Sequence, residues 1–335
     1  MTAAVWIGIL LALLAGMLSG NCMLPAKFIR RWPWENTWLV FSLISLVVLP
    51  WLLAALLVKN LAATYALLPW SDFAAPFVFG LGWGIAQVLF GMSIARLGLA
   101  LGYAIIVGLG ALLGTLVPLL VQHRSVAGTS RGALIFLGMA IMLLGIGVSA
   151  WSGWIRDRMS TETAPKHKYG AALLLAVLCG IMAPMLNYAF AFGQSIAVSS
   201  VSAGNSRELA GYAIWPVALS GGLIPNLIYS VYLLTANRTW TKFRQPGVRE
   251  LSLASLMGLL WMGAFAIYGV SSTYLGLLGT SVGWGLFQIF MIMTATLSGV
   301  FTGEWKSASS TASRGLWCGL GLLGIATAII AAGER

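Results

Sequence analysis

Charge is what this chain has least of. Of 335 residues, 8 are acidic and 19 basic, 8% in all, where a soluble domain carries about 25%. So few charges cannot cover a water-facing surface, and an apolar share of 59% would leave far too much of it bare. A water-soluble enzyme, a disordered protein and a nucleic-acid-binding module are excluded on that ground. Cysteine is scarce as well. Cys22, Cys179 and Cys318 sit inside apolar runs, their number is odd and no CxxC occurs, so we read no disulfide framework, no metal site and no cofactor motif. No basic residue precedes the first apolar run, which is therefore expected to be a retained span and not a cleaved signal peptide.

Long apolar runs are what the chain has. A helix needs about 20 such residues to cross the hydrocarbon of a bilayer. Ten stretches qualify, roughly 3–24, 37–58, 73–95, 98–121, 131–154, 170–195, 209–235, 250–272, 275–301 and 314–332. They are continuous and do not alternate, which excludes a β-barrel. The expected fold is an all-α integral membrane protein with ten transmembrane helices and no soluble domain.

Basic residues set the orientation. Lys27, Arg30, Arg31, Arg96, Arg156, Arg158, Lys166, Lys168, Arg238, Lys242, Arg244, Arg249, Lys306 and Arg314 fall in connections 1–2, 3–4, 5–6, 7–8 and 9–10. Lys59, Arg124, Arg131, Arg207 and Arg335 fall on the other side. The positive-inside bias then places the first set in the cytoplasm and both termini outside, periplasmic if the membrane is the inner membrane. The net charge of +11 is a matter of anchoring at anionic lipid headgroups, not of nucleic acid.

The chain also repeats. Laying 80–99 on 258–277 pairs Gly80 with Gly258, Trp83 with Trp261, Ala86 with Ala264 and Gly91 with Gly269, among other identities. Leu10, Leu11, Ala12, Leu14 and Gly16 match Leu174, Leu175, Ala176, Leu178 and Gly180, and Arg131-Gly132 matches Arg314-Gly315. The order is kept, so stretches 1–5 recur as 6–10. Because five is odd, the second copy enters the membrane from the opposite side, giving an inverted five-plus-five repeat. Residues 1–155 form the first half, 156–169 a cytoplasmic connection and 170–335 the second half.

Small-xxx-small pairs such as Gly16/Gly20, Gly80/Gly84, Gly98/Gly102, Gly110/Gly114 and Gly315/Gly319 serve close helix packing. Gly279-Thr280-Ser281-Val282-Gly283 has the GxSxG spacing. The only histidines, His123 and His167, lie in connections, and no strand–turn–helix context exists, so no hydrolase is read. Pro184 in the sixth stretch, and Pro216, Gly221, Gly222 and Pro225 in the seventh, mark candidate helix breaks, which membrane proteins tolerate where backbone lines a cavity or packs on protein.

The informative polar residues are amides. Gln87 and Gln288 sit near mid-depth in opposite halves, each one helical turn after a tryptophan, Trp83 and Trp284. Asn187 follows Pro184, and Asn226 follows Pro225. An indole covers the C–H faces of a sugar while an amide holds its hydroxyls. The acids Glu35, Asp72, Asp157, Glu162, Glu208, Glu250, Glu304 and Glu334 all lie at or beyond span ends, and no Lys or Arg lies mid-span. A path for ions or zwitterions wants charge at mid-depth, so the expected guest is neutral and rich in hydroxyls. The lining residues are expected to be Trp83, Gln87, Asn187, Asn226, Trp261, Trp284 and Gln288, with Tyr103, Tyr188 and Tyr268 as further candidates.

Several motifs resemble one family. Leu24-Pro25-Ala26-Lys27, Trp32-Pro33-Trp34-Glu35 with Trp38, Leu49-Pro50-Trp51, Trp83-Gly84-Ile85, Arg96-Leu97-Gly98, Gly283-Trp284 and Glu304-Trp305 look like the L-rhamnose–proton symporters of the drug/metabolite transporter superfamily. The resemblance covers essentially the whole chain. It implies ten helices in an inverted repeat and import of a neutral monosaccharide such as L-rhamnose with a proton by alternating access, not enzymatic catalysis. The chain departs from the family pattern at Gln288, where the resemblance leads one to expect a His, and at Gln87, in place of an Asn. Gln does not titrate. The coupling candidates are Glu35, Lys27, which could pair with it, and Glu304. The other readings are a metabolite, amino-acid or drug exporter of the same superfamily and a facilitated sugar uniporter. A monomer and a homodimer are equally compatible with the sequence.

Overall fold

The computed structural model describes residues 3–97, 99–159, 169–244 and 247–333; Gly98, His167, Glu162 and most of the 156–169 connection lie outside them. Among the described residues ten helices are long and apolar enough to cross a membrane: α1 (Ala3–Phe28), α2 (Trp34–Leu57), α3 (Trp70–Ile94), α4 (Leu101–Gln122), α5 (Ser130–Arg156), α6 (Gly170–Ser202), α7 (Arg207–Ala236), α8 (Val248–Leu278), α9 (Val282–Phe301) and α10 (Ser310–Gly333). Among the described residues there is no strand. The number of spans read from the sequence is therefore found. The expected starts at 3 and 170 and the end at 301 are found; the other boundaries shift by a few residues, most at the start of α9, now Val282, and at the end of α6, which continues through Gln194–Ser202 after a turn at Gly193.

Proline acts differently at the two expected breaks. In α6, Tyr169–Met182 stops and Met185–Phe192 restarts across Ala183 and Pro184, because Pro184 has no N–H to continue the ladder. The α7 helix, by contrast, runs unbroken from Ile214 to Ala236 with Pro225 inside it. There the expected break is absent. Pro216 falls near the helix start, and Gly221 and Gly222 serve packing instead. In α2 the ladder loosens into one π-helical turn, Ile44–Val48, just before Pro50.

Helix pairing is specific. The α1 helix packs on α8 and α9, α6 on α3 and α4, α5 on α10, and α3 on α7. Glycines set the closest crossings. A Cβ on Gly80 would lie 1.8 Å from the Ala218 carbonyl oxygen, one on Gly84 2.4 Å from that of Gly222, and one on Gly221 2.2 Å from that of Phe77. Two main cores result. One, on α2, α3 and α6–α9, is dominated by aromatic rings. The other, on α1, α4, α5, α9 and α10, is aliphatic, with Ile135, Met142, Ile289 and Leu323 fully buried.

Candidate functional site

The aromatic core carries most of the residues expected to line a site. Trp83 of α3 stacks on Trp261 of α8, with centroids 5.2 Å apart at 28°. Trp261 meets Phe265 at 4.5 Å, Phe265 meets Phe287 of α9 at 5.4 Å, and Trp284 meets Tyr268 edge-on at 5.7 Å. A continuous chain of rings thus joins one half of the sequence to the other. Trp284 also reaches α4, where its indole N–H donates to the Gly110 carbonyl at 3.1 Å. A Cβ at Gly114 would sit 2.1 Å from that indole nitrogen, so the Gly110/Gly114 pair makes room for the ring.

The amides divide into two kinds. Asn187, placed just after the Pro184 break, donates to the carbonyls of Gly114 at 2.9 Å and Thr280 at 2.8 Å, and its oxygen accepts from the Tyr268 hydroxyl. Tyr188 beside it donates to the Leu113 carbonyl at 2.9 Å. Asn226 donates to the Gly222 carbonyl at 2.9 Å and accepts from the Trp38 indole at 2.9 Å. Both asparagines therefore fasten helices together. Gln87 and Gln288 make no side-chain hydrogen bond among the described residues, although Gln288 is only 6% exposed and Gln87 is half-buried. They are the amides left free to hold a guest.

The structure brings Asn187, Tyr268 and Trp284 into one hydrogen-bonded and ring-packed group, and Trp83 and Trp261 into another joined to it through Phe265 and Phe287. Asn226 adjoins the Trp83 side, since a Cβ on Gly222 would lie 2.9 Å from that indole. Tyr103 stands apart, edge-on to Phe90. Sequence reasoning missed Phe265 and Phe287 as links; their signal was one-turn spacing from Trp261 and from Gly283-Trp284. Trp38 was visible only through its motif. Two cavities lie away from this cluster: one of about 800 Å³ between Trp51, Tyr65, Trp70, Phe73, Pro216 and Ser220, and one of about 400 Å³ between Arg30, Arg31, Arg249 and Glu250.

Charge stays at the ends of the helices. Among the described residues the buried charged side chains are Glu35, in the first turn of α2, and Glu250, in the first turn of α8. Glu35 accepts from the Asn237 amide at 3.0 Å and the Thr239 hydroxyl at 2.9 Å. Lys27 does not pair with it. Its ammonium is held by Glu304 and the Thr302 hydroxyl at 3.2 Å, because the end of α1 abuts the end of α9. Arg156 lies 3.7 Å from the same carboxylate and over the Trp305 ring at 4.7 Å. His123 sits between α4 and α5, where burial holds its pKa below the usual value. The Ser281 hydroxyl of the GxSxG run is buried with no partner among the described residues, so no histidine activates it.

Ten spanning helices around a middle that, among the described residues, carries no charged side chain define a multi-pass membrane protein. The chain belongs to the L-rhamnose-proton symport protein (RhaT) family, whose model matches residues 1–334. It is 25% identical over 341 residues to an L-rhamnose-proton symporter of Citrobacter koseri and 26% identical over 341 residues to one of Salmonella paratyphi B, with 99% of each chain covered. It is 25% identical over 316 residues to an L-rhamnose-proton symporter of Escherichia coli, with 92% of each chain covered.

Proposed function

We propose that the protein imports L-rhamnose, or a closely related neutral monosaccharide, together with a proton across the inner membrane. The observation that carries the sugar site is the pair of amides Gln87 and Gln288, unbonded among the described residues, each one turn from a buried tryptophan in a middle where no described side chain is charged. An amide held in apolar surroundings gains from a hydroxyl that can satisfy it. Trp83, Trp261 and Trp284 supply the apolar faces. Asn187, Asn226 and Tyr268 hold the helices that present them. Membership of the symporter family and the names of the relatives favour L-rhamnose and the proton over export or uniport.

Alternating access would move residues 1–155 against 170–335. Helix pairing supports the repeat that underlies it. Exchanging each helix for its counterpart five places on turns α1 on α8 and α9 into α6 on α3 and α4, and leaves α5 on α10 unchanged. Gly80 abuts Ala218, and Gly258, its partner in the sequence match, abuts Ile44. An inverted repeat, as in the drug/metabolite transporter superfamily, produces that exchange. The excess of basic residues then sets both termini in the periplasm. For the proton, Glu35 is favoured over Lys27 and Glu304, which are 45% and 42% exposed while Glu35 is 5% exposed.

Proteoliposomes offered a panel of labelled monosaccharides, with and without an inside-alkaline pH gradient, test the reading. Saturable uptake of one neutral sugar, concentrative only with the gradient, is expected. Gradient-independent equilibration would reject symport, and indifference to every neutral sugar would reject the site.

A further inference from the structure

Seven buried side-chain oxygens lack a hydrogen-bond partner among the described residues, and three of them, on Asn36, Ser42 and Ser230, belong to the interface of α2 with α7 and the connection after it. Buried polar atoms without partners are rare in native proteins, and bridging water is the usual reason they persist.

The two helices run antiparallel and are tied at two levels. At the cytoplasmic end Glu35 accepts from Asn237 and Thr239, and the Asn36 amide donates to the Thr239 carbonyl at 3.2 Å. Deeper in, the Trp38 indole donates to Asn226. Glu35, Trp38 and Ser42 stand at i, i+3 and i+7, hence on one face of α2, and Asn226 and Ser230 at i and i+4 on one face of α7. All five are buried, Ser42 and Ser230 completely. Polar residues therefore share the facing sides of α2 and α7 as far as Asn226, one turn from Gly222, whose Cβ would meet the Trp83 indole.

We propose that ordered water between α2 and α7, held by Asn36, Ser42 and Ser230, forms a proton path linking Glu35 to the mid-membrane site. This inference rests on the proton-coupled reading. A proton travels along the waters and bonds to a Glu35 carboxylate oxygen, giving the neutral acid; release returns it to water and restores the carboxylate. No electrons move. Both donors to Glu35 come from the connection between α7 and α8, in the opposite half of the sequence. Movement of the halves that withdraws Asn237 and Thr239 removes the two hydrogen bonds that occupy the Glu35 carboxylate and opens it to proton exchange with the waters. The charged residues of the elements packed there are Arg238, Lys242 and Arg244 of that connection and Arg249 and Glu250 at the start of α8; among the described residues no ion pair to Glu35 is seen.

Two measurements test the path. The first needs no sugar. In X-ray hydroxyl-radical footprinting of the wild-type protein, bound water beside Trp38 should oxidise that residue, 8% exposed, well ahead of Trp215, 1% exposed. Labelling of Trp38 should fall to the level of Trp215 when Ser42→Ala and Ser230→Ala are combined. The second is uptake. With one proton per sugar, a gradient of one pH unit sustains about tenfold accumulation. The double variant should lose that accumulation while retaining sugar exchange in the absence of a gradient. A Trp38 as protected as Trp215 in a protein that accumulates sugar overturns the path alone. Undiminished accumulation by the double variant overturns it too. A labelled Trp38 in a wild-type protein that never concentrates any sugar overturns the proton-coupled reading instead.

Discussion

Gly80 and Gly258 hold corresponding places in the two halves, yet the same substitution should cost different amounts. An alanine Cβ at Gly80 lies 1.8 Å from the Ala218 oxygen and 2.7 Å from its carbonyl carbon, both backbone atoms of α7. Neither can rotate away, so α3 must retreat by about 1 Å or more before the contact becomes tolerable. Overpacking of that kind costs about 3 kcal/mol at the upper end of its range, and the better helix propensity of alanine returns about 1 kcal/mol. A net loss of about 2 kcal/mol is expected, roughly a thirtyfold fall in the folded-to-unfolded ratio. At Gly258 the nearest atom is Ile44 Cγ2, at 2.8 Å. That methyl is fixed to Ile44 Cβ, itself 3.1 Å away, with the Ser45 nitrogen at 3.4 Å, so α2 must give by a few tenths of an ångström at about 1–2 kcal/mol, most of which the propensity gain offsets. Gly258→Ala should therefore cost about 1 kcal/mol or less. Unfolding titrations in mixed micelles, run on both variants beside the wild type, read the difference. Equal losses, or a larger loss at Gly258, would refute the claim that backbone contact between α3 and α7 sets the cost.

The other expectations concern the site and its charges. Gln87→Leu and Gln288→Leu should each lower sugar uptake at least tenfold, about 1.4 kcal/mol or more per lost set of hydrogen bonds, while leaving the protein folded in the membrane; unchanged uptake in both would remove them from the site. Asn187→Leu should instead lower stability by about 2–4 kcal/mol, since it strips partners from Tyr268 and two carbonyls, and it would show as loss of monodisperse protein before any change in KM. Glu35→Gln should keep exchange and lose gradient-driven accumulation, whereas Glu304→Gln should keep both. The Lys27–Glu304 pair is nearly half exposed, so its loss should cost under about 1 kcal/mol. Reversed phenotypes for Glu35 and Glu304 would move the coupling group to α9.

Hydropathy made the ten spans legible, because a 20-residue apolar run admits one interpretation in a bilayer. The small-residue pairs were legible for the same kind of reason: Gly80/Gly84 and Gly16/Gly20 face helix backbones, with a Cβ on Gly16 2.8 Å from the Met291 nitrogen. Partner choice was not. Lys27 and Glu35 stand close in sequence and belong to one motif, but the α1 end meets the α9 end, and only tertiary packing decides that Lys27 goes to Glu304. Breaks were half legible. Pro184 interrupts α6 between Met182 and Met185, while Pro225 stays within an unbroken helix packed on α3 through Gly221 and Gly222. The amides show the limit most clearly. Four looked alike as isolated polar residues in apolar runs; whether each is spent on a neighbouring carbonyl or left open depends on contacts more than 70 residues apart, as between Asn187 and Gly114.

The free glutamines and the tied asparagines also bear on how a neutral guest can be moved at all. A group already bonded to a neighbouring helix must give up that bond before it can hold a guest. Asn187 joins α6 to α4 and to the turn before α9, and Asn226 joins α7 to α2; the bonds to α4 and α2 cross between the halves and help to hold their present arrangement. Gln87 and Gln288 bind nothing within the described protein and lie on α3 and α9, one in each half. A sugar hydrogen-bonded to both would bridge the halves without competing against the scaffold. Its binding free energy would then act on the relative position of the halves. Replacing Asn226 by Gln, which keeps the amide but lengthens its reach, should accordingly disturb α2–α7 packing and slow turnover while leaving sugar affinity close to that of the wild type. A large loss of affinity with turnover intact would show that Asn226 touches the sugar itself.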